Sequence, residues 1–127
     1  MCEQKFFICR HCGNIIGFIK STGVPVVCCG EPMHELVANS VDAAKEKHVP
    51  VATYKCNKVT VNVGEVAHPM TEEHLIEWVY LLTEQGGQRK CLKAGDEPIL
   101  EFALVKGDKP VAVYAYCNLH GLWIKEF

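Results

Sequence analysis

Four cysteines between residues 9 and 29 constrain this chain more than any other feature. They stand as Cys9-Arg-His-Cys12-Gly13 and as the adjacent pair Cys28-Cys29. Short β-type runs surround them: Phe6-Phe7-Ile8, Ile15 to Ile19 and Val24 to Val27. Turn signals at Gly13-Asn14, Gly23 and Gly30 separate the runs. A segment this short cannot bury enough apolar surface to hold itself together, so it needs a staple. A C-x-x-C-Gly loop aims backbone amides at its sulfurs and stabilises the thiolates that a metal requires. Four thiolates close a tetrahedron and leave no open position. Such a site is structural if it holds zinc and passes electrons if it holds iron. Disulfide pairing without a metal is the alternative. Adjacent cysteines tend to diverge, so a distorted site is expected.

The redox setting decides how cysteines are read. The chain carries eight cysteines and six histidines in 127 residues. Its opening, MCEQKFFICRHCG, has no basic region followed by a long apolar segment. No signal peptide and a cytoplasmic location are therefore expected. There, metal ligation is a better reading of clustered cysteines than disulfides. No apolar run is long enough to span a membrane. A net charge of −2 lacks the basic excess of a nucleic-acid binder. Cys2, Cys56 and Cys91 have no partner at ligand spacing and are expected to be free thiols packed as small hydrophobes.

Residues 37–47, VANSVDAAKEK, change character and read as a linker and the lip of the β region beyond them. Asn39 or Ser40 is placed to cap a helical turn through Asp42-Ala-Ala-Lys45. From Val49 onward the pattern is β. Val59, Val61 and Val63 alternate with polar residues, and Glu97 to Val105 and Val111 to Tyr116 flank the turn Lys106 to Pro110. Gly86-Gly87 signals another turn. Six or seven short strands at this spacing predict a β-sandwich. The stretch His74 to Leu82, HLIEWVYLL, is ambiguous. Its apolar residues at 75, 78, 79 and 82 fit one face of a helix.

A second set of ligands is spread along this β region: His48, His68, His74, Cys117 and His120. Most lie near proline or glycine turns at strand boundaries, which gather at the ends of a sandwich. Four neutral imidazoles and one thiolate balance a divalent cation to a net charge of +1, which favours a small anion. Five protein ligands leave one octahedral position open. The donor set suits iron, with zinc and copper as alternatives. These features point to redox chemistry on a small oxygen species. Lys47, next to His48, would add positive potential for an incoming anion.

Together and in this order, these motifs resemble desulfoferrodoxin, the two-iron form of superoxide reductase. The similarity rests on Cys9-x-x-Cys12 with Cys28-Cys29, Glu46-Lys47-His48-Val-Pro50, His68-Pro-Met70, Glu73-His74-Leu-Ile-Glu-Trp78 and Cys117-Asn-Leu-His120-Gly. It implies an all-β chain. A small desulforedoxin-like metal-knuckle domain over residues 1–37 would precede an immunoglobulin-like β-sandwich over 38–127. HLIEWVYLL would then be a strand, against its periodicity. Two mononuclear irons are implied. One would be held by Cys9, Cys12, Cys28 and Cys29, where zinc is also possible. The other would be held by His48, His68, His74 and His120 as equatorial ligands, with Cys117 axial. The resemblance further implies one-electron reduction of superoxide to hydrogen peroxide, with Lys47 drawing the anion and Glu46 closing the open position of the oxidised site. A rubredoxin-type electron donor and a cytoplasmic homodimer complete the expectation, with no nucleic acid or membrane as partner. The competing readings are a plain electron carrier, a protein with two structural zincs, and a superoxide dismutase.

Overall fold

A computed structural model describes residues 4–127. The chain falls into two compact units, the first ending at Val37 and the second running over Ala38–Phe127.

In the first unit, β1 (Phe6–Ile8) pairs antiparallel with β2 (Ile15–Gly17) on one side and β5 (His34–Glu35) on the other. Between them, β3 (Val27–Cys28) and β4 (Glu31–Pro32) form a hairpin. Little is buried here beyond Phe6, Cys9 and Met33. Strands of two or three residues with so little covered surface are not stable alone.

The second unit is a sandwich of two antiparallel sheets. One sheet has the order β10-β7-β6, from Ile99–Ala103, Lys58–Val63 and Pro50–Lys55. The other has the order β12-β11-β8-β9, from Gly121–Glu126, Pro110–Cys117, Ile76–Thr83 and Gly86–Cys91. Inward-facing residues of both sheets meet in one core. Val59, Val61, Val63 and Phe102 pack against Ile76, Val79, Leu81, Val113, Ala115 and Cys117. This is the alternation that Val59, Val61 and Val63 announced, so the sandwich expectation holds.

The helical lean on HLIEWVYLL is wrong, and the reason is local. Cys117 pairs with Ile76 while its neighbour Tyr116 pairs with Trp78, so Glu77 has no partner in the ladder. This bulge shifts the side-chain alternation by one residue. Both faces of β8 are also covered, with Trp78 and Leu82 buried as well as Val79 and Leu81. A slipped, two-sided apolar strand mimics a helical stripe.

Three smaller expectations are also corrected. The helical turn, α1, lies at Lys45–His48, with Ala44 at its N-cap and no side-chain cap. Asn39 instead stitches β12, accepting from Ile124 N at 2.9 Å while its backbone N donates to Leu122 O at 2.9 Å. The β8–β9 turn is Glu84-Gln85, and Gly87 lies within β9 beneath the Tyr80 ring. Cys56 and Cys91 are free thiols but exposed rather than packed. Cys56 and Asn57 form a two-residue hairpin turn with φ of 52° and 58°, the positive pair of a type I′ turn. Cys2 lies outside the described residues.

Candidate metal centres

The first centre is built by two tight turns. Gly13 N donates to Cys9 O and Cys9 N donates to Asn14 O, both at 2.8 Å, which folds Cys9–Gly13 into a knuckle. Cys28 ends β3, and Cys29-Gly30 make the β3–β4 turn with φ of 52° and 77°. Placing Cys29 in a left-handed turn directs its side chain away from the ordinary strand direction. The awkward pairing of adjacent cysteines is resolved in this way. The four sulfurs lie within 4.8 Å of one another. Backbone amides of Cys12 and His11, with the neighbouring thiols, hold Cys9 down at about 6. Cys29 is pushed up to about 12, first by its contacts with Cys12, Cys9 and Cys28. Crowded sulfurs resist becoming four thiolates together unless a cation joins them.

The second centre lies at one end of the sandwich. His48 ends α1, His68 and His74 come from the loop between β7 and β8, and Cys117 and His120 flank the β11–β12 turn. The rings form a circuit. Centroid separations are 4.6 Å for His48–His68, 4.6 Å for His68–His74, 5.0 Å for His74–His120 and 4.9 Å for His120–His48. His48 and His74 face each other across it at 6.1 Å. Successive rings stand nearly perpendicular, at 76° to 89°. The ligand atoms of His48, His74, Cys117 and His120 all lie within 4.8 Å of one another. His68 falls outside that set but takes its corner of the circuit.

The ring nitrogens show which atoms face inward. His48 Nδ1 is 2.7 Å from Ala44 O and His68 Nδ1 is 2.7 Å from Pro69 O, so each carries its proton there and leaves Nε2 a lone pair. His120 presents Nδ1 instead, 3.1 Å from His48 Nε2 and 3.8 Å from Cys117 Sγ. His68 Nε2 and His74 Nε2 are buried and have no hydrogen-bond partner among the described residues. Two orphaned buried nitrogens aimed into a ring of imidazoles are what a bound metal would satisfy. Burial holds His48, His68 and His74 below their ordinary range, His68 at about 4, so they are neutral donors at pH 7. Burial raises the Cys117 thiol, while backbone amides of Leu119 and His120 favour its thiolate. The residues fit a transition metal with mixed nitrogen and sulfur ligation.

Glu46 and Lys47 are exposed on the rim. The charge of Lys47 reaches both His48 and His74. Several supporting residues escaped the motif reading. Trp123 is fully buried, lies 4.9 Å from the His48 ring at 30°, and its indole N–H donates to His120 O at 3.2 Å. Gly64 touches the backbone of α1 so closely that a Cβ there would sit 2.6 Å from Glu46 O. Thr71 and Asn118 bracket His74. A glycine after an alternating strand and an asparagine inside the Cys117–His120 turn were the available signals.

The desulfoferrodoxin family model matches residues 40–126. The chain is 48% identical over 124 residues to desulfoferrodoxin of Nitratidesulfovibrio vulgaris, covering 98% of this chain and 97% of that one. It is 49% identical over 120 residues to a desulfoferrodoxin homolog of Archaeoglobus fulgidus, covering 94% of each. The crystal structure of superoxide reductase from Treponema pallidum superposes with a TM-score of 0.83 at 41% identity, over 98% of this chain and 99% of that one. Likeness along almost the whole length, first unit included, means that the chain belongs to the desulfoferrodoxin family.

Proposed function

We propose that the chain is a superoxide reductase: superoxide, one electron and two protons become hydrogen peroxide at the histidine–cysteine centre. The observation that carries this reading is the circuit of four imidazoles with two orphaned buried nitrogens beside one buried thiol. His48, His68, His74, His120 and Cys117 would hold the metal. Iron held there would supply the electron and regain it from a reductant.

The protein's own groups set the conditions. Burial keeps His48, His68 and His74 neutral, so a divalent ion held there with one thiolate would stay net positive and attract an anion. The amides of Leu119 and His120 stabilise the Cys117 thiolate against its burial. Lys47 on the rim adds positive potential along the approach. Glu46, its neighbour, would supply a carboxylate to the oxidised centre, its charge already reaching His48. The four-cysteine domain ends at residue 37, and residues 38–127 form the catalytic domain. The first centre takes iron, with zinc as the alternative occupant. The reading extends to a rubredoxin-type donor, a homodimer and a cytoplasmic setting, which family membership supports. Among the described residues no helix is long and apolar enough to cross a membrane.

Product analysis tests the reading. Anaerobically isolated protein, reduced and given superoxide, should yield one peroxide per superoxide consumed and no dioxygen from the reaction. One dioxygen for every two superoxides would make it a dismutase. No reaction, with iron present only at the four-cysteine centre, would make it an electron carrier.

A further inference from the structure

His74 is fixed differently from the other Nε2-facing histidines. His48 and His68 each tie Nδ1 to a backbone carbonyl at 2.7 Å. The His74 ring has no hydrogen-bond partner among the described residues, and its Nε2 is one of the two orphans. Apart from packing against the neighbouring rings, its aim comes from the backbone on either side. On one side, Thr71 Oγ1 accepts from His74 N at 3.1 Å. On the other stands Asn118. Its Oδ1 accepts from Leu75 N at 3.0 Å, and its Nδ2 donates to Glu73 O at 3.0 Å. Its backbone N also donates to Leu75 O at 3.2 Å.

We propose that Asn118 is a positioning residue for His74, its carboxamide clamping Glu73 and Leu75, the two neighbours of His74, to the turn that carries Cys117 and His120. One side chain thus sets the spacing between a nitrogen donor on one loop and the sulfur and nitrogen donors on another. Backbone fixing on both sides substitutes for the ring hydrogen bond that outer-sphere partners usually provide. Asparagine suits the task because it offers a donor and an acceptor on one short, planar group.

The inference rests on the metal-centre reading above. Its test uses the full-length chain, freed of iron and titrated anaerobically with Co²⁺, with amide hydrogen exchange read at Leu75. Asn39→Ala is the matched control, because Asn39 makes a similar two-point backbone stitch to β12 and none to the His74 loop. Asn118→Ala should weaken Co²⁺ at the histidine–cysteine centre by roughly 10–100-fold. It should also speed exchange at Leu75 and leave the four-cysteine centre unchanged. Asn118→Asp, which keeps the acceptor and loses the donor, should fall between, and it carries the test if the alanine variant does not fold. Asn39→Ala should lower stability without weakening Co²⁺. Affinity within about twofold of wild type in the Asn118 variants, or an equal loss in Asn39→Ala, overturns the positioning role. Failure of the wild-type centre to take Co²⁺ overturns the metal reading as well, and is a separate result.

Discussion

Gly64→Ala should damage the second centre from outside its ligand set. A methyl there would stand 2.6 Å from Glu46 O, 2.9 Å from Lys47 C and 3.0 Å from Val49 O. All three are backbone atoms of the turn that carries Glu46, Lys47 and His48, so no side-chain rotation relieves the clash. Gly64 is outside the left-handed region, and space alone demands a glycine. Restoring ordinary contact requires the turn to move by about 0.8 Å. Productive constellations tolerate about 0.5 Å. The shift also strains the hydrogen bond from Val66 N to Glu46 O, 2.8 Å long. Overpacking costs about 1–3 kcal/mol and a lost hydrogen bond about 1 kcal/mol. The sandwich should therefore melt roughly 10–25 °C lower. Calorimetry of the full chain, with iron retention against a chelator, reads both effects. Gly107→Ala is the control: its φ of 95° is strained in alanine, but nothing lies within 4 Å of the added carbon. It should lose stability and keep iron at the second centre. If the two variants lose the same stability and both keep their iron, the close approach of Gly64 does not position the turn.

Four further outcomes are expected. Lys47→Ala should slow association with superoxide and flatten its dependence on ionic strength, read by pulse radiolysis; an unchanged salt profile removes the steering role. Glu46→Ala should leave the encounter with superoxide nearly intact but alter the ferric absorption spectrum, and an identical spectrum would end its assignment to the oxidised state. Cys12→Ser should empty or distort the first centre while superoxide consumption by the pre-reduced protein continues; loss of that reaction would show that the second centre depends on the first. In the metal-free chain, burial holds His68 at about 4 against an ordinary 6.5. The unfolded chain therefore binds the extra proton as pH falls. Stability should drop by about 2 kcal/mol between about pH 6.5 and 5, above the range where exposed carboxylates titrate. Flat urea midpoints across that window would contradict the burial argument.

The candidate ligands were readable in the sequence by residue type, and the structure brings them together. Cys9, Cys12, Cys28 and Cys29 are ligand types at ligand spacing, and the five donors of the second centre stand at turns between strands. Residues that act through space were not. Glu77 reads as one polar position in an apolar stretch, and only the pairing of Cys117 with Ile76 reveals it as a bulge. Asn39 has a capping residue's identity, yet its partners on β12 lie far along the chain and outcompete a local cap. The exposure of Cys56 comes from the type I′ turn that it shares with Asn57, an unusual use of cysteine. Gly64 and Asn118 are not ligand types, and their contacts are made across long sequence separations.

The second centre also has a meaning for the connectivity of the chain. Its candidate ligands lie before β6, between β7 and β8, and around the β11–β12 turn. His48 and His120 alone are separated by 72 residues. A metal bridging them closes a loop as a long-range disulfide does, and a disulfide over that span is worth on the order of 4 kcal/mol. A metal-loaded second centre would then also be a clasp on the sandwich. Loss of a metal held there would leave the sandwich easier to unfold and, through that opening, easier to cut.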